Sequence, residues 1–102
     1  YMRILVMFDL PTYTVSQRRA YTQFRKHLIK SGFFMLQESI YCKIVLNKTG
    51  ADNVLGNLRR NKPESGLVQV LTVTEKQFAK SVVLVGKNKT EVINDDRRLV
   101  IL

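Results

Sequence analysis

The sequence contains little of what marks a secreted or membrane protein. It has one cysteine, Cys42, so no disulfide can form within the chain. No apolar run approaches the roughly twenty residues that a membrane span requires, and the first residues show no charged region leading into a cleavable apolar core. We therefore expect a cytoplasmic protein with no membrane partner, in which Cys42 is a small core residue.

Acidic residues are also scarce. The chain has 17 Lys and Arg against 8 Asp and Glu, which gives a formal net charge of +9 on 102 residues. Hydrophobic residues make up 45% of it, so it can still build a core, and its length predicts a single domain over residues 1–102. A basic excess of this size favours a polyanionic partner, nucleic acid above all, because neutralising phosphates releases their counterions.

The apolar stretch from Ile4 to Phe8 predicts a central strand. Side chains alternate along a strand, and both alternating sets are apolar here, as expected when both faces of the strand are covered. Pro11 cannot donate a ladder hydrogen bond, so the strand ends near Asp9. Asp9 is thus an acid at the carboxyl end of a central strand, where open α/β sheets tend to place their chemistry. From the spacing alone, a turn-forming Asp that bonds backbone amides is the favoured interpretation.

A basic helix follows this strand. Thr14 to Gln17 has the form of a capping box, and the helix runs from about Val15 to Lys30, closed by Gly32 in a left-handed conformation. The residues opposite its apolar stripe are basic or amide side chains, namely Arg18, Arg19, Gln23, Arg25, Lys26 and Lys30. An ordinary solvated face mixes signs to gain i,i+4 pairs, whereas this helix contains no acid. The pattern indicates a phosphate-facing surface.

The remaining elements are shorter. The patterns predict strands at 33–37, 40–46 and 67–73, a helix at 51–60 with its N-cap at Thr49, one helical turn at 75–78, a fifth strand at 81–85 and a strand-like piece at 99–102. The second helix ends in the basic pair Arg59 and Arg60. Complementation of the helix dipole and ligand binding account for this pair equally well.

The order strand, helix, strand, strand, helix, strand predicts an α+β, ferredoxin-like βαββαβ domain with an extra C-terminal strand. Two helices cover one side of such a sheet, yet apolar side chains are present on the other side as well. A symmetric homodimer that packs sheet against sheet would cover them, with residues 81–102 at the interface. A monomer whose own tail folds over the sheet is the alternative.

With this pattern the chain resembles the CRISPR-associated protein 2 family, over essentially its whole length. The matching features are Phe8-Asp9-Leu10-Pro11, the basic first helix, the stretch from Gly32 to Tyr41, and Leu71 to Phe78. Their order, together with the chain length, carries the resemblance. The Phe8–Pro11 form and the Thr74–Phe78 segment look most like the versions found beside Cas9-type effectors.

The resemblance implies a homodimer that bridges two dimers of the CRISPR integrase, CRISPR-associated protein 1, and binds the duplex of captured DNA during spacer acquisition. It also implies that Asp9 is the catalytic and metal-binding position, at which family members are credited with Mg²⁺-dependent cleavage of RNA or DNA. Physically, a single carboxylate makes a poor nuclease, since Mg²⁺ keeps several waters but is usually held by one or two carboxylates. A chain that supplies a single acid would need its dimer mate's copy.

Two functions from different classes therefore remain. The first is a structural subunit that reads the DNA backbone through basic side chains, with Arg18, Arg19, Arg25, Lys26, Arg59 and Arg60 as the candidates. The second is a metal-dependent endoribonuclease or endonuclease that acts through paired Asp9 residues. An RNA-recognition module of the same topology is less favoured, because the aromatic residues expected on its central strands are largely missing.

Overall fold

A computed structural model describes residues 1–86 as one antiparallel sheet with helices against it. The elements are β1 (Met2–Asp9), α1 (Val15–Lys30), β2 (Phe34–Gln37), β3 (Ile40–Val45), α2 (Lys48–Arg60), β4 (Leu67–Thr74) and α3 (Glu75–Phe78). The strand order is β2-β3-β1-β4, so β1 is central and β4 is an edge. The predicted α+β class is confirmed. No helix within residues 1–86 is long and apolar enough to cross a bilayer.

Local hydrogen bonds set the helix boundaries. Both halves of the Thr14–Gln17 capping box are present at the start of α1, and Gly32 follows the helix with a φ of 93°. α2 begins at Lys48, three residues before the predicted start. The reason is that Asn47, and not Thr49, is its N-cap, because the Asn47 side chain accepts a hydrogen bond from the Gly50 amide at 2.9 Å.

The core lies between the sheet and the helix pair. Ile4, Val6 and Phe8 of β1 point toward the helices and are at most 5% exposed. Phe24 and Leu28 of α1 pack against them, and the Phe8 and Phe24 rings meet edge to face with centroids 5.4 Å apart. From α2, Ala51 and Leu58 complete this layer, and Tyr41 and Val45 extend it on β3.

The opposite side of the sheet, which we call the open face, is covered far less among the described residues: the single-turn helix α3 lies at its margin, where Phe78 lines one groove with Leu5 and Met7. Leu5 and Met7 of β1 lie on it, flanked by their register partners Cys42 and Ile40 of β3 and by Leu71 and Gln69 of β4. Leu5 and Met7 are only partly buried, and Leu71 is 48% exposed. The prediction that both faces of the first strand carry apolar side chains is therefore confirmed.

The predicted fifth strand is wrong. Residues 81–86 follow α3 without strand structure, and no described strand pairs with them. They pass over the open face instead, where they line a groove of about 720 Å³ together with Leu5, Met7, Leu36 and Ile40. The β-branched run at 82–85 has strand propensity, but propensity produces a strand only where a neighbouring strand completes the ladder. The predicted piece at 99–102 lies outside the described residues.

Candidate functional site

Asp9 is the last residue of β1 and is exposed. Its register partner is Leu67, the first residue of β4, so the carboxylate lies at one end of the sheet. Among residues 1–86 it has no salt-bridge partner, and no group of three or more His, Cys, Asp or Glu side chains gathers there or elsewhere. Among the described residues Asp9 therefore belongs to no cluster of side chains that would hold a divalent metal without further donors.

Two backbone contacts fix the position of Asp9. The amide of the preceding Phe8 donates to the Ser39 carbonyl at 3.1 Å, which ties the end of β1 to the β2–β3 turn. On the other side Gly66 has a φ of 92° and approaches Asp9 closely. A Cβ on Gly66 would lie 3.0 Å from the Asp9 carbonyl oxygen and 2.6 Å from Leu10 Cδ2, so only glycine fits this approach. Asp9 is thus held at a defined place.

Aromatic rings support the strand immediately before Asp9. The Phe8 ring lies 5.8 Å from that of Tyr21 and 5.7 Å from that of Tyr41, centroid to centroid. Tyr41 is buried, and its hydroxyl accepts a hydrogen bond from Arg25 Nε at 2.9 Å. The structure therefore ties Arg25, one of the predicted phosphate contacts, to the sheet near this end.

Arg18 has a local structural role. Its Nη1 donates to the Thr12 carbonyl at 3.2 Å and to the Tyr13 carbonyl at 3.0 Å, across the loop that joins β1 to α1. The first turn of α1 holds no acid. The cation is thus placed where the helix dipole opposes it, and the two loop carbonyls offset that repulsion. Arg18 positions the loop, which sequence spacing alone did not indicate.

The other predicted basic residues lie on exposed helix positions. Arg19 and Lys26 are on α1, seven residues and therefore about 10 Å apart along nearly the same side of the helix. Arg59 and Arg60 lie in the last turn of α2. The ion pairs of the described residues are Arg3–Glu75 and Lys48–Asp52, so none of these four cations has an acidic partner there. No described hydrogen bond or ion pair joins them to Asp9.

Comparison with known proteins decides the family. The family model described as "CRISPR associated protein Cas2" matches residues 2–81. A "CRISPR-associated endoribonuclease Cas2" of Treponema denticola is 54% identical over 101 residues, covering 99% of this chain and all of the relative. The chain belongs to the Cas2 family. A relative of the same printed name from Streptococcus mutans is 46% identical over 101 residues, covering 99% of this chain and 93% of its own length.

A solved structure agrees on the fold of this Cas2-family chain. It is described as "Crystal structure of cas2" and has a TM-score of 0.57, with 22% sequence identity over 87% of this chain and 91% of its own. At that identity the likeness shows the fold alone. The name endoribonuclease belongs to the relatives, and it is the one activity that their names give.

Sequence reasoning missed a polar cluster on the open face. Arg3 Nε donates to Glu75 Oε1 at 2.7 Å, and the guanidinium carbon lies 4.1 Å from the centroid of the Phe78 ring. Its Nη1 also lies 3.7 Å from Cys42 Sγ. Burial raises the pKa of the Cys42 thiol, although the contact with Arg3 acts in the other direction. The only signal in the sequence was a charged residue within an apolar strand.

Proposed function

We propose that this Cas2-family chain is a CRISPR adaptation subunit that binds the duplex of captured DNA by its backbone. The observation that carries the proposal is the set of exposed cations on α1, with Arg19 and Lys26 at its centre, which have no acidic partner in the described chain. Cations that form no ion pairs within the protein remain available for phosphates, and this requires no base-specific contact.

The geometry of α1 supports backbone contact. Arg19 and Lys26 lie on the same side of a 16-residue helix that also presents Arg25 and Lys30. α1 packs beside α2, as the 2.9 Å contact between His27 Nε2 and Asn57 Oδ1 shows, so Arg59 and Arg60 belong to the same layer. Cations spread over one helix layer suit an extended polyanion better than a small ligand, because each phosphate needs only one of them.

We further propose that the working unit is a homodimer joined through the open faces. Residues 82–85 of the tail are apolar, yet Val82, Leu84 and Val85 are 74%, 90% and 93% exposed, so the tail does not bury them on its own sheet. Leu67 and Leu71 of the adjacent edge strand are also about half exposed, at 54% and 48%. A second copy placed on this face would remove both sets from water and would give the tail a strand to pair with.

Salt dependence tests the DNA-binding proposal. Binding of the protein to a blunt duplex should weaken steeply as salt rises, and it should be insensitive to base sequence. Arg19→Ala and Lys26→Ala should each make the slope of log K against log salt shallower by about one unit, because each removes one phosphate contact. Arg18→Ala should change the slope less than Arg19→Ala, since Arg18 is engaged with the loop carbonyls. A salt-insensitive or strongly base-specific interaction contradicts the proposal.

Bridging of integrase dimers is the second part of the proposal, and it rests on family membership. Pull-down of the neighbouring integrase, CRISPR-associated protein 1, by the tagged chain should recover a complex with two integrase dimers per dimer of this chain. We assign the system to the Cas9-associated type from the Phe8–Pro11 and Thr74–Phe78 sequences. Spacer acquisition by cells that express this chain but lack its own integrase checks this assignment. An integrase from a Cas9-type system should restore acquisition, and integrases from other types should not.

The endoribonuclease named for the relatives is the second candidate function, and the exposed Asp9 at the end of β1 favours it. No cluster of three or more His, Cys, Asp or Glu side chains forms among the described residues, so magnesium chemistry at Asp9 would draw its remaining donors from another copy, from the nucleic acid or from water. The chain's own contribution is to hold Asp9 at a fixed place, through Ser39 on one side and Gly66 on the other.

A further inference from the structure

We propose that Tyr13 is a platform on which an unpaired base of the bound nucleic acid stacks. The proposal rests on the nucleic-acid binding proposed above and adds a contact of a different kind. Tyr13 lies in the loop between β1 and α1, four residues after Asp9, and is 89% exposed. Among the described residues its ring has no aromatic partner, whereas Tyr21 and Tyr41 both contact Phe8.

The backbone of Tyr13 is held by the first turns of α1. Its amide donates to Gln17 Oε1 at 2.9 Å, and its carbonyl accepts from Arg18 Nη1 at 3.0 Å. The same two side chains also bind the backbone on either side, at the Thr14 amide and the Thr12 carbonyl. An exposed aromatic ring on a backbone fixed in this way loses little conformational entropy when a ligand binds, which favours binding.

The charge around the ring selects the chemistry of the ligand. Arg18 lies against the Tyr13 carbonyl, Arg19 follows it, and the first turn of α1 contains no acid. An exposed aromatic ring beside cations is the combination with which proteins bind single-stranded nucleic acid, because the cations contact phosphates and the ring stacks on a base. In the body of a duplex both faces of each base are already stacked. Tyr13 therefore selects an unpaired base, in a single strand or in a single-stranded overhang.

Tyr1 offers a matched control within the same chain. It is 74% exposed and lies at the opposite end of β1, where its carbonyl accepts from the Glu75 amide at 3.1 Å. The surroundings of Tyr1 and Tyr13 differ, but both rings are open to solvent and neither belongs to the core. Replacing either ring by Ala removes a similar area of exposed aromatic surface without touching the packed residues.

The experiment compares two labelled oligonucleotides, a single strand and a blunt duplex of the same length, by fluorescence anisotropy. Tyr13→Ala should weaken binding of the single strand about fivefold or more, in line with the value of one stacked base, and leave the blunt duplex within about twofold. Tyr13→Phe keeps the ring and should bind like the parent, and Tyr1→Ala should also bind like the parent. A 2-aminopurine in the single strand should be quenched by the parent and by Tyr13→Phe, and less by Tyr13→Ala.

Three outcomes would overturn the proposal. In the first, Tyr13→Ala binds the single strand as tightly as the parent does. In the second, Tyr13→Ala weakens binding of both oligonucleotides equally. In the third, Tyr13→Phe loses as much affinity for the single strand as Tyr13→Ala. Loss of integrase capture by Tyr13→Ala with unchanged oligonucleotide binding would also overturn it, and would make the ring a protein contact. Failure of the parent to bind either oligonucleotide is distinguishable from these, because it refutes the proposed nucleic-acid binding itself.

Discussion

Asp9 and Gly66 meet where β1 ends and β4 begins, and their backbones approach closely there. Gly66 has a φ of 92°, which L-residues rarely adopt, and a Cβ there would collide with Leu10 and press on the Asp9 carbonyl. The position of the carboxylate therefore depends on a residue that has no functional group of its own. This dependence can be measured as a change in the free energy of unfolding when Gly66 is replaced.

Gly66→Ala should lower the free energy of unfolding by about 2 kcal/mol, because it combines a strained φ with the collision at Leu10. Chemical denaturation of the two proteins measures the difference. Gly56→Ala is the control with the opposite sign. Gly56 lies inside α2, where a Cβ would be 3.6 Å from Arg60 Nη1, so Ala should stabilise the helix by about 1 kcal/mol. A Gly66→Ala protein as stable as the parent contradicts the close approach.

Asp9→Asn separates the two candidate functions. Asn keeps the shape and neutral hydrogen bonding of the side chain but removes the charge that Mg²⁺ requires. Any Mg²⁺-dependent nuclease activity of the isolated protein should disappear, while spacer acquisition with the integrase present should persist. Asp52→Asn is the matched control, since Asp52 is an exposed carboxylate whose contact is the 3.4 Å pair with Lys48. Abolition of acquisition in an Asp9→Asn protein that still folds and assembles would make Asp9 catalytic and the scaffold interpretation wrong.

At the scale of single elements, the helix starts show which sequence signals are sufficient. The capping box at Thr14 and Gln17 was predicted and is confirmed, because both partners lie within four consecutive residues. The start of α2 was misplaced, because both Asn47 and Thr49 are good N-cap residues. Asn47 is the cap in the structure, with an extended φ of −155°.

Asn47→Ala should therefore destabilise the protein by about 1 kcal/mol, the usual loss when a capping side chain is removed. Thr49→Ala should change the free energy of unfolding by less than about 0.5 kcal/mol, since Thr49 lies within α2 and holds no cap. Thermal or urea denaturation of both variants checks the assignment. Equal losses of unfolding free energy, or a larger loss for Thr49→Ala, would contradict Asn47 as the N-cap.

At the scale of the whole molecule, the open face is the part that the described chain leaves incomplete. Helices cover one side of the sheet, and the tail at 81–86 crosses the other side with most of its apolar side chains in solvent. Large exposed apolar surfaces on soluble domains mark interaction sites. The proposed homodimer makes this face an interface, and it places two copies of Asp9 in one assembly.

Leu84→Glu should convert the dimer to a monomer, because it places a charge at a tail position that is 90% exposed in one chain and is proposed to be buried between two. Sedimentation velocity measures the change, with circular dichroism to show that the fold is kept. Val15→Glu is the control, since Val15 is 62% exposed on α1, away from the open face. A parent chain that sediments as a monomer, or a Leu84→Glu variant that remains a dimer, refutes this interface.

Features that depend on contiguous residues could be predicted from the amino-acid sequence alone. The continuous apolar run from Ile4 to Phe8 identified β1, Pro11 placed its end, and the capping box at Thr14 placed the start of α1. Each of these signals acts within one or two turns of chain, so no knowledge of the fold was needed to interpret it. The lack of acids in α1 likewise indicated an exposed basic surface.

Two features could not be predicted from the sequence, because both depend on tertiary contacts. They are the set of side chains that remain free to bind a ligand and the course of the chain after β4. Arg18 is engaged by loop carbonyls, and Gly66 fits only because β4 begins beside Asp9. The residues at 81–85 have the composition of a strand, but the segment at 81–86 lies across the open face without strand structure. A strand forms only where a neighbouring strand pairs with it, and the local sequence does not determine whether one is present. These outcomes depend on contacts between residues far apart in the chain, which are set by the packing of the whole domain.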